Sequence, residues 1–294
     1  MDKKITVVTA FFDIGRENYE DIPRSKEKYF EYFKRWARIK NDLVFVCEKQ
    51  IFADRVLQIR DEFGLREKTQ VILVDSIDDI EPQLLRKLEE IEKDQCFLDF
   101  RLQKNATENI GRYNYVMMLK YYSMYLASIK ANVGKQLAWI DFGFEHGGEV
   151  FEDENDYAFE WEYDFGDKVN LFRLPYEEKR PIFDVIKTLH PDSITGCLVE
   201  MPTILAKEFY EKIKGLYYEL ASIGLMDDDQ LYLLWFSRRY PDLAVVKETS
   251  NWFMAISEYS NHQFKLKPPQ VAPKPNIIKR ILRKIYHIFK RKKG

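Results

Sequence analysis

The chain has 294 residues, 46% hydrophobic and 32% charged, with a formal net charge of −2; this composition excludes a disordered or fibrous chain and leaves ample material for a core. Three scattered cysteines (Cys47, Cys96, Cys197) without CxxC spacing exclude a disulfide framework or cysteine zinc site and suit a reducing cytosol. No signal-peptide h-region opens the chain, no apolar run approaches the roughly 20 residues of a membrane span, and the eight Lys/Arg gathered in 277–294 leave an acidic body unlike a nucleic-acid-binding domain.

In chain order, Ile5 to Phe12 is a β-branched and aromatic run that predicts a buried first strand, ending in Asp13, Gly15 and Arg16. Such a turn is a weak nucleotide-binding signal. Ser25 is positioned to cap a helix carrying an aromatic stripe from Tyr29 to Ile39, which reads as core. Leu43 to Cys47 and Val71 to Val74 predict two further strands, separated by a charged amphipathic helix over 51–63. Apolar strands alternating with helices predict a mainly parallel sheet. A Glu- and Lys-rich helix over 80–94 is expected to face solvent, and a long helix to occupy 106–130. On the latter, Arg112 and Lys120 are either surface residues or phosphate contacts.

The stretch 135–148, KQLAWIDFGFEHGG, is the most informative in the chain. A short apolar strand delivers Asp141 to its C-terminal end and opens into a glycine-containing loop, the way an α/β sheet presents a metal or phosphate ligand. Asp141 either caps this turn or binds Mg²⁺ or Mn²⁺ bridging a diphosphate, chemistry that needs hard oxygen ligands. Asp141-Phe142-Gly143 spells the kinase DFG, but no glycine-rich loop or HRD segment precedes it. Residues 150–168 predict an acidic, aromatic excursion or short hairpin, 169–174 a strand, 194–206 a strand or turn leading into a helix over 203–220, and 243–246 a strand. Asp227, Asp228 and Asp229 stand at a helix start, where the dipole favours acids; a carboxylate facing a sugar or acceptor hydroxyl is the catalytic alternative. His146 and His262 are loop-placed candidate ligands. Residues 265–276, with four prolines, predict a linker, and 277–294 a basic amphipathic helix of the kind that lies on anionic membranes.

TAFFDIGRE at 9–17, EKYFEYFKRW at 27–36, WIDFGFEHGG at 139–148 and DDDQLYL at 227–233 resemble the WlaTC/HtrL (HtrL/YibB) family of bacterial glycosyltransferase-like proteins, over roughly residues 4–262. The resemblance implies a GT-A-like α/β fold, with a Rossmann-like nucleotide-binding half, a mixed but mainly parallel sheet and flanking helices over 1–264. It implies a nucleotide-sugar donor and a role in cell-surface glycan synthesis. Asp141 matches the first acid of the metal-binding DxD motif of such enzymes. The third position is Gly143, a departure that leaves Glu145, His146 or His262 as substitute ligands for Mn²⁺ or Mg²⁺. HQFKLKP at 262–268 faintly resembles a HxxGxxKP segment of some retaining members, without its glycine. Asp229-Gln230 looks like a DQ pair near the sugar, and Thr9, Ala10, Phe12, Asp13 and Arg16 would line the nucleoside pocket.

The resulting expectation is a metal-assisted glycosyltransferase, on a UDP-sugar for preference, with Asp228, Asp229 and Gln230 on the sugar or acceptor side. Its acceptor would be lipopolysaccharide, lipooligosaccharide or capsule, reached from the inner face of the cytoplasmic membrane. A membrane-associated scaffold with a degenerate GT-A fold is the alternative, motivated by Gly143. A nucleotidyltransferase ranks lower, because only Arg16 and Arg24 are available as basic groups after the first strand.

Overall fold

A computed structural model describes residues 4–104, 106–188 and 193–268. Strands β1 (Ile5–Phe11), β2 (Leu43–Cys47), β3 (Thr69–Leu73) and β4 (Gln136–Ile140) pair in parallel in the order β3-β2-β1-β4. The sheet then changes direction. β6 (Ile194–Pro202) runs antiparallel to both β4 and β5 (Val169–Arg173), and β7 (Ala244–Glu248) closes the far edge parallel to β5, giving β3-β2-β1-β4-β6-β5-β7. This mixed, mainly parallel sheet with a four-stranded parallel half is the GT-A-like α/β fold.

Alternate residues of each central strand face opposite layers. Val8, Val44, Leu137 and Val199 pack beneath α3 (Pro82–Ile91), α5 (Gly111–Lys130), α7 (Ala206–Ser222) and α8 (Asp229–Arg239). Val7, Phe45, Ala138 and Leu198 pack beneath α1 (Lys26–Trp36), α2 (Gln50–Asp61) and the rings of the 151–165 excursion. That excursion lacks a hairpin among its described residues and is pinned by buried Asn41, which donates to the carbonyls of Ile5 and Trp161 and accepts from the Trp161 amide. Its aromatic side chains explain the high ring content as core.

Two expectations are corrected. The 80–94 helix faces solvent on one side only: within α3, Arg86, Lys87 and Glu90 are exposed, while Leu84, Leu85, Leu88 and Ile91 are buried and the helix packs on α5. Residues 265–267 do not begin a linker. Leu266 bridges Phe151, the Lys265 amide donates to Asp156 and the Lys267 amide to the Val150 carbonyl. The Pro-rich stretch beyond Pro268 and the 277–294 helix lie outside the described residues.

Candidate functional site

β1 and β4 are adjacent and parallel, so the residues that leave their C-terminal ends, from Phe12 and from Asp141 onward, emerge side by side. A cleft of about 310 Å³ opens there, walled by the β1 exit, the first half of α5, Gly196 and Cys197 of β6, and the start of α8. The carboxyl ends of parallel strands are where open α/β sheets bind ligands, because the backbone diverges there.

At its floor stands Lys120, on α5. Its Nζ lies 2.8 Å from Asp141 Oδ1 and 2.7 Å from Asp229 Oδ2, and donates to the Gly196 carbonyl at 3.2 Å. Asp141 Oδ1 also accepts from Trp139 Nε1 at 2.6 Å, and Asp229 Oδ2 from the Tyr121 hydroxyl at 3.4 Å. Burial works against the Lys120 ammonium, but the two carboxylates outweigh it and its pKa is raised. Burial raises the Asp229 carboxyl; Lys120 pulls it down, Asp141 pushes it up, and the net direction is upward.

The Asp227–Asp229 triplet divides its work. Asp227 forms a buried pair with Arg101, at 3.0 and 3.3 Å, which anchors the chain entering α8. Asp228 is the N-cap of α8 and accepts from the Gln230 amide at 3.2 Å and its Nε2 at 3.1 Å. Asp229 turns inward to Lys120.

Arginines line the cleft beside the β1 exit. Gly15, in left-handed backbone at φ 68°, donates to Asp13 and leads into Arg16, which is only 8% exposed. The Arg16 guanidinium lies 5.1 Å from the Tyr19 ring and 4.8 Å from the Tyr113 ring; Nη2 donates to the Ile22 carbonyl, while Nε and Nη1 have no acceptor among the described residues. Arg24 lines the same cleft, whereas Lys26 is shared by Asp13 at 3.4 Å and Glu17 at 3.5 Å. Burial first, then Asp228, pushes the Tyr113 hydroxyl upward, keeping it neutral.

Of the residues singled out in the sequence, Ala10, Phe12, Asp13, Arg16, Lys120, Asp141, His146, Asp228, Asp229 and Gln230 line this cleft. Three do not. Thr9 is buried in β1 opposite Phe45. Arg112 pairs with Asp78 at 2.6 Å. His262 stacks on Phe159 at 4.7 Å, away from the cleft. Lys120, rather than waiting for phosphate, already holds two carboxylates.

The residues present do not fit a resident divalent cation. The second acid of a DxD pair is replaced by Gly143, where a side chain would press on the Tyr29 ring at 3.1 Å. Glu145 is consumed by the loop itself, accepting from the Val150 amide at 2.7 Å, the Phe151 amide at 2.6 Å and the Tyr157 hydroxyl at 3.2 Å. His146 stands at φ 44° with Nδ1 3.2 Å from Glu149, and burial, then Arg24, lowers its pKa. Among the described residues no cluster of three His, Cys, Asp or Glu side chains is spaced to hold a metal.

Sequence reasoning missed the bridging role of Lys120, and with it Gly196, Tyr113 and Arg24. One signal was present. Tyr113, Val116, Met117, Lys120, Tyr121 and Met124 follow helical spacing, and a lysine on an apolar stripe announces a buried charge that must find partners.

A GT-A-like sheet with an acid-floored, arginine-walled cleft at its parallel strand ends defines the class. The chain belongs to the HtrL/YibB family, whose model, described as "Bacterial protein of unknown function", matches residues 3–260. It is similar to Protein HtrL of Escherichia coli strain K12, 29% identical over 260 residues that cover 83% of this chain and 87% of that protein. A solved Bacillus anthracis structure, described as a "Putative Glucose-1-Phosphate Thymidylyltransferase" in complex with a sucrose, covers 84% of this chain at 10% identity with a TM-score of 0.39. A likeness that weak has no bearing on function. Among the described residues, no helix is long and apolar enough to cross a membrane.

Proposed function

We propose that this chain is a glycosyltransferase that moves a sugar from a nucleotide-sugar, a UDP-sugar in the first instance, to a bacterial cell-surface glycan such as lipopolysaccharide, lipooligosaccharide or capsule. The observation that carries this reading is the convergence of Asp141 from the end of β4, Asp229 from α8 and the Lys120 ammonium in one cleft that Arg16 and Arg24 also line. A nucleotide-sugar has that polarity: an anionic diphosphate, which guanidinium groups bind, and a hydroxyl-rich sugar, which carboxylates and an amide bind.

In this reading Ala10, Phe12 and Asp13 face the nucleoside and Arg16 and Arg24 the diphosphate. Asp229, fixed by Lys120, and Gln230 take sugar hydroxyls. Asp228, which lines the cleft, is the candidate to accept the proton of the attacking acceptor hydroxyl. The 277–294 segment would hold the enzyme on the anionic inner face of the cytoplasmic membrane, beside lipid-linked acceptors; this rests on its sequence.

The test is a thermal-shift screen of UDP-, GDP-, CMP- and dTDP-sugars, followed by transfer assays on rough lipopolysaccharide with the responding donor. A concentration-dependent rise in melting temperature with one nucleotide class, and product with that donor, are expected. No response to any donor sinks the reading. A scaffold with a degenerate fold is favoured by one observation, the glycine at 143 pressed close to the Tyr29 ring in place of a second acid; donor binding without hydrolysis or transfer would select it.

A further inference from the structure

We propose that the cleft binds the donor diphosphate without a divalent cation: Lys120 occupies the position between Asp141 and Asp229 where a metal would have to sit, and the unpaired Nε and Nη1 of Arg16 take the phosphate oxygens. The inference rests on the nucleotide-sugar reading and specifies how that site handles charge.

Two independent observations lead here. First, an ammonium within 2.8 Å of Asp141 and 2.7 Å of Asp229 fills the space of a cation bridging those carboxylates. A metal would have to displace a buried lysine and replace its bond to the Gly196 carbonyl as well. It would also lack the second acid, because the Tyr29 ring lies against Gly143. Asp141 Oδ1 is already bonded by Trp139 Nε1 as well as by Lys120, so both bridging carboxylates are engaged before a Mn²⁺ or Mg²⁺ ion could reach them.

Second, Arg16 is a buried guanidinium that lines the same cleft, and among the described residues two of its nitrogens lack an acceptor. Leaving buried charged donors unsatisfied is costly, and a protein retains such a group where a ligand completes it. The rings of Tyr19 and Tyr113 flank the guanidinium at 5.1 and 4.8 Å. Nε and Nη1 lie on different edges of the guanidinium, so it offers positive charge and single hydrogen bonds to separate phosphate oxygens rather than one bidentate fork. Arg24, which has no carboxylate partner among the described residues, adds a second positive charge for the leaving diphosphate.

Calorimetric titration of UDP into the full chain, in excess EDTA and then in millimolar Mn²⁺, tests this. Dissociation constants within about threefold of each other are expected, with inorganic pyrophosphate displacing UDP in EDTA. Binding tighter by more than about tenfold in Mn²⁺ overturns the inference and leaves the nucleotide-sugar reading standing. Binding in neither condition removes that reading and the inference with it. Arg16→Gln should weaken UDP by about tenfold or more while leaving uridine unchanged, with Arg16→Lys intermediate. Equal losses for UDP and uridine assign Arg16 a structural role and overturn its part. The wild-type titration and the pyrophosphate competition stand even if a variant fails to fold.

Discussion

Gly196 and Asp229 are fitted to each other: a Cβ on Gly196 would stand 2.7 Å from both carboxylate oxygens of Asp229. The glycine is required by this close approach, which lets the α8 carboxylate lie against β6 within reach of Lys120. Gly196→Ala should therefore push Asp229 off the bridge. Overpacking of this kind costs about 1–3 kcal/mol, and sugar transfer should fall by about tenfold or more. Denaturant unfolding and turnover measure the two effects; a variant unchanged in both would mean that the Asp229 carboxylate shifts at no cost.

Lys120 holds two acids together, so its removal leaves like charges facing each other in a largely enclosed floor. Lys120→Met should destabilise the fold by about 3 kcal/mol, toward the low end for a broken buried pair because the Asp141 side chain is 31% exposed. Lys120→Met with Asp229→Asn should recover part of that loss. A double-mutant cycle by urea unfolding reads the coupling, and additive losses would show that the pair is not energetically joined.

Leu43–Cys47 is legible as a strand to the residue, since five consecutive apolar positions buried on both faces leave no helical alternative of that length. Asp141 is legible for a similar reason: an apolar run, an acid and a glycine mark the end of a buried strand. The α3 helix misleads because its charged residues outnumber its leucines, although Leu84, Leu88 and Ile91 keep helical spacing. The Lys120–Asp229 bond could not be read, because its members are 109 residues apart and meet only when β6 and α8 close on α5. The aspartate triplet shows the same limit, since only tertiary contacts separate Asp227, taken by Arg101, from Asp229, taken by Lys120. Arg112 and His262 carry the right chemistry for ligands, but their neighbours Asp78 and Phe159 engage them elsewhere.

Restoring the missing acid should not restore a metal site. In Gly143→Asp the new side chain would begin 3.1 Å from Tyr29 and 3.5 Å from Tyr32. The rings must give way, at a cost of about 1–3 kcal/mol. Manganese affinity, read by electron paramagnetic resonance with UDP present, should not rise. Tight Mn²⁺ binding by this variant would mean that the rings yield easily and that a carboxylate pair is all the site lacks.

Residues beyond Pro268 lie outside the described structure, but their sequence makes a separable prediction. Truncation after Lys267 keeps the 265–267 segment that is tied to the body. The truncated chain should keep its melting temperature and lose binding to phosphatidylglycerol vesicles, because each basic residue near an anionic surface contributes about 1 kcal/mol. Co-sedimentation at fixed salt checks this, and undiminished binding would place the membrane-active surface on the body.

Asp229 should also govern how stability responds to acid. Burial, joined by repulsion from Asp141, raises its pKa in spite of Lys120. The folded chain thus binds this proton more tightly than the unfolded chain, so the ionised carboxylate costs stability. The cost is absent below the ordinary aspartate value of about 3.9, grows as pH rises through the window up to the folded pKa, and is constant above it. Asp229→Asn removes the titration, so the stability of Asp229→Asn minus that of wild type should rise with pH through that window and then level off. His146 moves the other way: its pKa is lowered by burial first and then by Arg24, so its protonation costs stability as pH falls from about 6.5 toward the folded value. That term is common to both proteins and cancels in the difference. Urea unfolding in steps of pH measures the curve. A difference flat across the acid range would mean that Asp229 titrates as it does in the unfolded chain, and that Lys120 fully offsets its burial.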